Sequence, residues 1–184
     1  MDQPTLIPEE APDATQDDVS LSPLEQKLLS LDIKKFTEYD LNGAKCICKV
    51  LRVHDVDTMT VGFKLSSKFY NKNIRWIGID SPELHSKIPK ESQLCRLGRN
   101  FIINNYLNKL VVVEFGASDK YGRALGTVYD RDTGENINQK MIDYKFGRVY
   151  GANGIDLHKN DWTEEELDAG IAIAGGLGIE DSGK

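Results

Sequence analysis

Three short segments of this chain carry charged residues that together could cut a phosphodiester. Ile74-Arg75-Trp76-Ile77-Gly78-Ile79-Asp80-Ser81-Pro82-Glu83 supplies an arginine, an aspartate and a glutamate. Asp119-Lys120-Tyr121-Gly122-Arg123-Ala124-Leu125 supplies a second arginine, and His54-Asp55-Val56-Asp57-Thr58 supplies further carboxylates. Guanidinium forks hold phosphate oxygens in pairs and stay charged at any working pH. Aspartates are hard oxygen ligands for a divalent cation, and a lone glutamate can take a proton from water. Singly, each segment has an ordinary explanation. D-x-D is a common solvated turn, K-Y-G-R a common hairpin turn, and Arg75 alone an exposed strand arginine. Jointly they suit phosphoryl chemistry.

The order of these segments is more specific than any one of them. D-x-D-T is followed by R-x-x-x-x-D-S-P-E, then by D-K-Y-G-R-x-L, then by a helix start at Ile137-Asn138. In that order the chain resembles the staphylococcal nuclease (thermonuclease) family, from about Gly43 to about Tyr150. The resemblance implies an α+β fold, a five-stranded OB-fold β-barrel with flanking helices. It also implies a calcium-dependent nuclease that hydrolyses phosphodiester bonds of DNA and RNA and leaves 3′-phosphate ends.

Residue by residue, the resemblance implies the following roles. Asp57 and Asp80 would bind Ca2+ with the main-chain carbonyl of Ser81, where the family usually has threonine. Asp55 would sit near the metal through water. Glu83 would act as general base or orient the attacking water. Arg75 and Arg123 would hold the phosphate, and Lys120 and Tyr121 would contact a terminal phosphate of the bound nucleotide. The family's two base-stacking tyrosines are replaced: direct alignment puts Gly151 and Asn153 there, with Tyr150 one residue away as a substitute. The hairpin between Asp57 and Arg75 is also somewhat long, and its Lys64, Lys68 and Lys72 are either solvated or nucleic-acid contacts. Two other readings stay open on the same barrel: a non-catalytic module that binds single-stranded nucleic acid, and a protein-interaction domain. All five of Asp57, Asp80, Glu83, Arg75 and Arg123 are present, which favours catalysis.

The elements that must position these residues are legible from patterning. At 184 residues and 40% hydrophobic content, one packed domain with appendages is expected. Strands are predicted over 44–53, 58–65, 72–79, 110–115 and 123–130. Helices are predicted over 91–108 and 137–147. Asn42-Gly43 reads as a turn, and Pro82 should stop the strand before it. Short strands closing a barrel offer an open face for extended single strands. Ser22-Pro23-Leu24-Glu25 reads as a capped helix start, and Thr163-Glu164-Glu165-Glu166 as another. The helix after Thr163 is expected to be short and frayed, because Gly170, Gly175, Gly176 and Gly178 each cost up to ~1 kcal/mol relative to Ala.

The net charge of −6 is unevenly placed. Residues 1–20 carry six acids and no bases, and residues 156–184 carry eight acids and two lysines. Residues 21–155 carry 21 Lys and Arg against 15 acids. A basic middle attracts a polyanion by releasing its counterions. The predicted organisation is a disordered acidic tail over 1–20, a helical lead-in over 21–42, the nuclease-like barrel over 43–155 and an acidic extension with a short helix over 156–184. Single-stranded DNA and RNA are the expected partners, with no membrane and no obligate protein partner. The first twenty residues carry no lysine or arginine and no apolar run, so an intracellular setting is expected. Cys46, Cys48 and Cys95 read as reduced, buried thiols, with Cys46 and Cys48 sharing a strand face. His54, His85 and His158 have no metal-type spacing, and Trp76 and Trp162 read as packing residues.

Overall fold

A computed structural model describes residues 20–38, 41–151 and 161–181. The acidic tail expected over 1–20 therefore lies almost wholly outside the described residues, as do His158 and the stacking position at Asn153.

The chain starts with helix α1 (Pro23–Ser30), a 3₁₀ turn (Ile33–Lys35) and a two-residue strand β1 (Thr37–Glu38). Strands β2 (Lys45–Asp55), β3 (Thr58–Leu65) and β4 (Lys68–Trp76) form an antiparallel meander. A short strand β5 (Ile79–Asp80) leads to helix α2 (Pro89–Tyr106). Strands β6 (Leu110–Ser118) and β7 (Ala124–Asp130) follow, then helix α3 (Ile137–Asp143), strand β8 (Arg148–Val149) and helix α4 (Glu164–Gly176). β2 pairs with β6, β6 with β7, and β7 runs parallel to β4. That last pairing closes β2, β3, β4, β6 and β7 into a five-stranded barrel, the OB-fold arrangement expected. β1 adds to the outside of β4 in parallel, a strand that the composition of the lead-in did not predict.

Alternation explains the barrel. In β3 and β4, Met59, Val61, Phe63, Ile74 and Trp76 point inward and are almost fully buried. They meet Cys48, Val50, Val111 and Val113 from β2 and β6 to fill the barrel. α2 closes one end with Leu94, Leu97, Phe101 and Ile102, and Phe101 packs edge-on against Tyr144 and tilted against Phe146.

The strand predicted over 72–79 is in fact two strands, broken at Ile77 and Gly78. Gly78 has φ of 76°, a left-handed conformation natural to glycine. The turn is pinned by Asn138, whose side chain donates to Ile77 O (3.0 Å) and Gly126 O (3.2 Å) and accepts from Val128 N (3.0 Å). This is the physical content of the Ile137-Asn138 motif: it fastens α3 to the loop that carries Asp80. The helix predicted to 147 stops at Asp143, so that Gly147 and Arg148 can lie alongside β5.

Both predicted capping boxes are present, at Ser22 with Glu25 and at Thr163 with Glu166. α4 runs for 13 residues through its glycines, longer than composition alone predicts. Trp162, Leu167 and Ala174 are buried in the same core as the barrel, so this helix is packed rather than loosely appended. No helix among the described residues is long and apolar enough to cross a membrane. The three cysteines are free thiols; Cys48 and Cys95 are buried and Cys46 is half-buried.

Candidate active site

Asp57 sits in the tight turn between β2 and β3 and is 7% exposed. Its Oδ1 accepts from the Thr58 hydroxyl at 2.8 Å, and its Oδ2 accepts from the Ser81 hydroxyl. Arg75, at the end of β4, brings Nη1 to 2.7 Å from the same Oδ2. Nη1 is buried and approaches off the hydrogen-bond axis, so it forms an ion pair and leaves its N–H groups without an aligned acceptor. The other terminal nitrogen, Nη2, donates to Ile79 O at 3.1 Å. One arginine thus joins the β2–β3 turn to the strand carrying Asp80.

Asp80 ends β5 and is 3% exposed. Ser81, its neighbour in sequence, is the residue that bonds Asp57, so the two aspartates are drawn to one end of the barrel. A cation absent from the sequence expectations meets Asp80 here. Arg148 donates through Nε to Asp80 Oδ2 at 3.0 Å, and its Nη2 lies at the same distance. The Arg148 guanidinium lies over the Trp162 ring, 4.5 Å from its centre, and its Nη1 reaches Asp161 O and Glu166 Oε2 at 3.4 and 3.5 Å.

Asp55 ends β2 and lies beside Asp57. Burial raises its carboxyl above the usual aspartate range, the Cys95 thiol opposes that by donating to Oδ1 at 2.8 Å, and the charges of Asp57 and Glu83 add to the rise. Cys95 is pushed up in turn, first by burial and then by the Asp55 charge. Glu83 is exposed, in the loop after β5, and near enough for its charge to reach Asp55. Its backbone N–H donates to Glu91 Oε1 at 3.0 Å, and the Ser86 hydroxyl donates to Glu91 Oε2 at 2.5 Å. Glu91 is buried in the first turn of α2 and holds the Glu83 loop from behind.

The structure therefore gathers Asp55, Asp57, Arg75, Asp80, Ser81 and Glu83. Lys120, Tyr121 and Arg123 form a separate group on the β6–β7 hairpin. Arg123 is engaged by Asp119, with Nε at 2.8 Å and Nη2 at 2.7 Å from Oδ2. Tyr121 is 72% exposed, with Lys120 Nζ 5.0 Å and the Arg123 guanidinium carbon 5.6 Å from its ring centre. The hairpin is nevertheless adjacent to the aspartates, because Arg75 pairs with Leu125 across β4 and β7. Tyr150 is half-buried, its N–H donating to Gly78 O at 3.0 Å. Of the hairpin lysines, Lys64 and Lys68 are exposed, whereas Lys72 is buried at 7% exposure.

Among the described residues, no three His, Cys, Asp or Glu side chains gather closely enough to hold a metal ion by themselves. Yet Asp55, Asp57, Asp80 and Glu83 outnumber the two guanidiniums that face them, Arg75 and Arg148. Excess negative charge on hard oxygens fits a divalent cation that keeps several waters, and does not fit an all-protein cage.

The chain spans about three fifths of the length of the curated relatives it matches. An uncharacterized endonuclease of Escherichia coli O157:H7 is 35% identical over 102 residues, covering 55% of this chain and 60% of that protein. An uncharacterized protein of Methanocaldococcus jannaschii is 28% identical over 127 residues, covering 57% of this chain and 59% of that protein. A sequence profile described as staphylococcal nuclease homologue matches residues 73–169. That span runs from the end of β4 through both arginines of the phosphate motifs and into α4. It takes in Arg148 and Trp162 as well as Arg75, Asp80, Ser81, Glu83, Lys120, Tyr121, Arg123 and Tyr150, while Asp55 and Asp57 lie before it, and the chain belongs to the staphylococcal nuclease homologue family.

Proposed function

We propose that this chain is a calcium-dependent nuclease that hydrolyses phosphodiester bonds of DNA and RNA and leaves 3′-phosphate ends. One observation carries the reading: buried Asp57 is bonded by Ser81, the sequence neighbour of buried Asp80, beside an arginine whose buried Nη1 has no aligned acceptor among the described residues. Calcium, held by Asp57, Asp80 and the Ser81 carbonyl, would supply Lewis-acid charge beside the phosphate oxygens.

Arg75 turns its unaligned Nη1 donors to a non-bridging phosphate oxygen. Arg123 exchanges Asp119 for a second phosphate oxygen when substrate enters, since its side chain is 31% exposed and its ion pair lies at the surface. Glu83, held at its backbone by Glu91, takes a proton from the attacking water. The water oxygen bonds to phosphorus, the bond to the 5′ oxygen breaks, and that oxygen takes a proton from solvent water to leave as a 5′-hydroxyl, while Glu83 returns its proton to solvent. Charge on the equatorial oxygens grows in the transition state, so both arginines stabilise it more than the ground state.

The test is cleavage of end-labelled single-stranded DNA and RNA with calcium and then with a chelator, with the ends identified. Calorimetric titration of calcium into the Asp57→Ala and Asp80→Ala variants checks the metal assignment. Binding without cleavage under all metals would leave the non-catalytic reading; unchanged calcium affinity in both variants would remove Asp57 and Asp80 from the metal.

A further inference from the structure

We infer that the outer face of β2, β3 and β4, running from Arg75 through Asn73, Thr60 and His54 to Arg52 and Arg99, is a track for the phosphate backbone of a single nucleic-acid strand beyond the scissile bond. The inference rests on the nuclease reading above and extends it to substrate path.

Side-chain parity sets up the face. Ile74 and Trp76 point into the barrel at 0% and 1% exposure, so Asn73 and Arg75 project outward. Met59 and Val61 point inward on β3, so Thr58 and Thr60 lie on its outer side, where Thr60 is buried at 6% exposure and orients the groups on either side of it. On β2 the pairing register shifts between Val50 and Arg52 and again between Val53 and Asp55. These bulges turn Arg52 outward opposite Thr60 and leave His54 on the same face. A polar chain then crosses three strands. His54 Nε2 lies 2.7 Å from Thr60 Oγ1, and the Thr60 hydroxyl donates to Asn73 Oδ1 at 2.6 Å. Asn73 is two residues from Arg75, so the chain ends at the site. Arg99 of α2 borders the other side, with Nε 3.4 Å from Val53 O.

The rest of the β2 outer face is covered, because Ile47 and Leu51 pack beneath α1. Beyond Leu51, Arg52 and Asn73 are exposed and His54 is half-buried, and among the described residues no apolar cluster covers them.

Charge selects the occupant. Arg75, Arg96, Arg123, Arg131 and Arg148 are each paired with a carboxylate. Arg52 and Arg99 have no such partner among the described residues, and both lie close enough for their charge to act on His54. Burial and then these two arginines hold the His54 imidazole below its ordinary range, against the opposing charge of Asp55 and a hydrogen bond with Asn73. Two guanidiniums without a carboxylate ion pair among the described residues, flanking hydrogen-bonding groups, fit a chain of phosphates, and continuity with Arg75 fixes its direction.

The experiment measures binding of labelled single-stranded DNA of about 16 nucleotides, the upper span of one OB-fold, across a salt series without added metal. A thymidine dinucleotide serves as the short probe, in binding and in calcium-supported turnover. Arg52→Ala with Arg99→Ala should weaken binding of the long strand by about tenfold or more. The salt slope should fall by about 1.4, some 0.7 for each lost phosphate contact. Dinucleotide turnover should be unchanged. Arg52 is exposed and has no ion pair among the described residues, so Arg52→Ala alone keeps the test valid if the Arg99 change unfolds the protein. A parent protein that cleaves, with variants matching it in affinity and slope, overturns the track alone. A parent that neither binds nor cleaves either probe overturns the nuclease reading with it.

Discussion

Arg148 donates through Nε to Asp80 Oδ2 at 3.0 Å, and it does so from beneath the first turn of α4, with Trp162 against its guanidinium face and Glu166 at its edge. Without that cation the Asp80 carboxylate, 3% exposed, would lose the guanidinium that compensates its buried charge. The C-terminal helix therefore reaches the site through one side chain.

Arg148→Met should lower folding stability by about 2 kcal/mol, the scale of a hydrogen bond to a charged group left unmade. The loss should shrink when Asp80→Asn is introduced with it, because the buried charge that needed a partner is gone. Urea unfolding of the two single variants and the double variant measures this coupling. Strict additivity would mean that the pair contributes nothing to the fold.

How far the site could be read from the sequence follows from where its contacts come from. Asp57, Arg75, Asp80 and Glu83 were legible because their spacing within short segments mirrors local geometry: a two-residue turn, a strand end, a loop. The capping boxes at Ser22 and Thr163 were legible for the same reason. Arg148 was not, since its value depends on β8 lying against β5 and on the docking of α4, which starts only at Glu164. The only local signal was an arginine just after a helix end, which has many ordinary explanations. Asp119 was visible, but that it holds Arg123 depends on the hairpin's backbone shape. Lys72 is not solvated as one of its two expected readings had it: it shares the inward parity of Ile74 and Trp76 on β4 and is buried.

Glycines in α4 were read as uniformly weakening, and the structure separates them. A Cβ on Gly170 would come within 2.6 Å of Leu94 Cδ1 and 2.7 Å of Lys145 O, whereas Gly175 and Gly176 have nothing within 4 Å. Gly170→Ala should therefore destabilise by about 1–3 kcal/mol through overpacking of α4 on α2. Gly175→Ala or Gly176→Ala should stabilise by roughly 0.5–1 kcal/mol through helix propensity. Thermal unfolding of the three variants decides the matter; a stabilising Gly170→Ala would mean that α4 is not seated on Leu94.

Glu25 predicts acid sensitivity at the α1 end. Burial pushes its carboxyl up, but hydrogen bonds from Arg131 and Ser22 outweigh this and hold it below the usual glutamate range. A depressed folded-state value contributes stability above the unfolded value, and that stability is lost as pH falls through the folded one. Glu25→Gln should cost about 2 kcal/mol at neutral pH and little at pH values below the ordinary glutamate range. The parent should lose stability on acidification more steeply than the variant. Parallel curves in denaturant titrations from neutral to acid pH would contradict the Arg131 contact.

Arg75, Glu83 and Arg123 should act on the transition state. None is part of the barrel core, and Glu83 is exposed. Glu83→Gln or Arg123→Ala should lower single-turnover cleavage under saturating calcium by about 100-fold or more, the scale of losing a general base or a preorganised charge. Unfolding temperatures should move little for Glu83→Gln, whose backbone contact to Glu91 is kept. Arg123→Ala frees Asp119, which also accepts from the backbone N–H groups of Tyr121 and Arg123, so the hairpin keeps its shape. Arg75 differs, since it braces Asp57 and Ile79 as well. Arg75→Lys should lose both rate and some stability, because an ammonium cannot span Asp57 and Ile79 O together and still present a donor to phosphate. Measuring rate and unfolding on the same samples separates these cases. Parent-like rates in Glu83→Gln and Arg123→Ala would reject this mechanism while leaving the fold and its arginine-lined face intact.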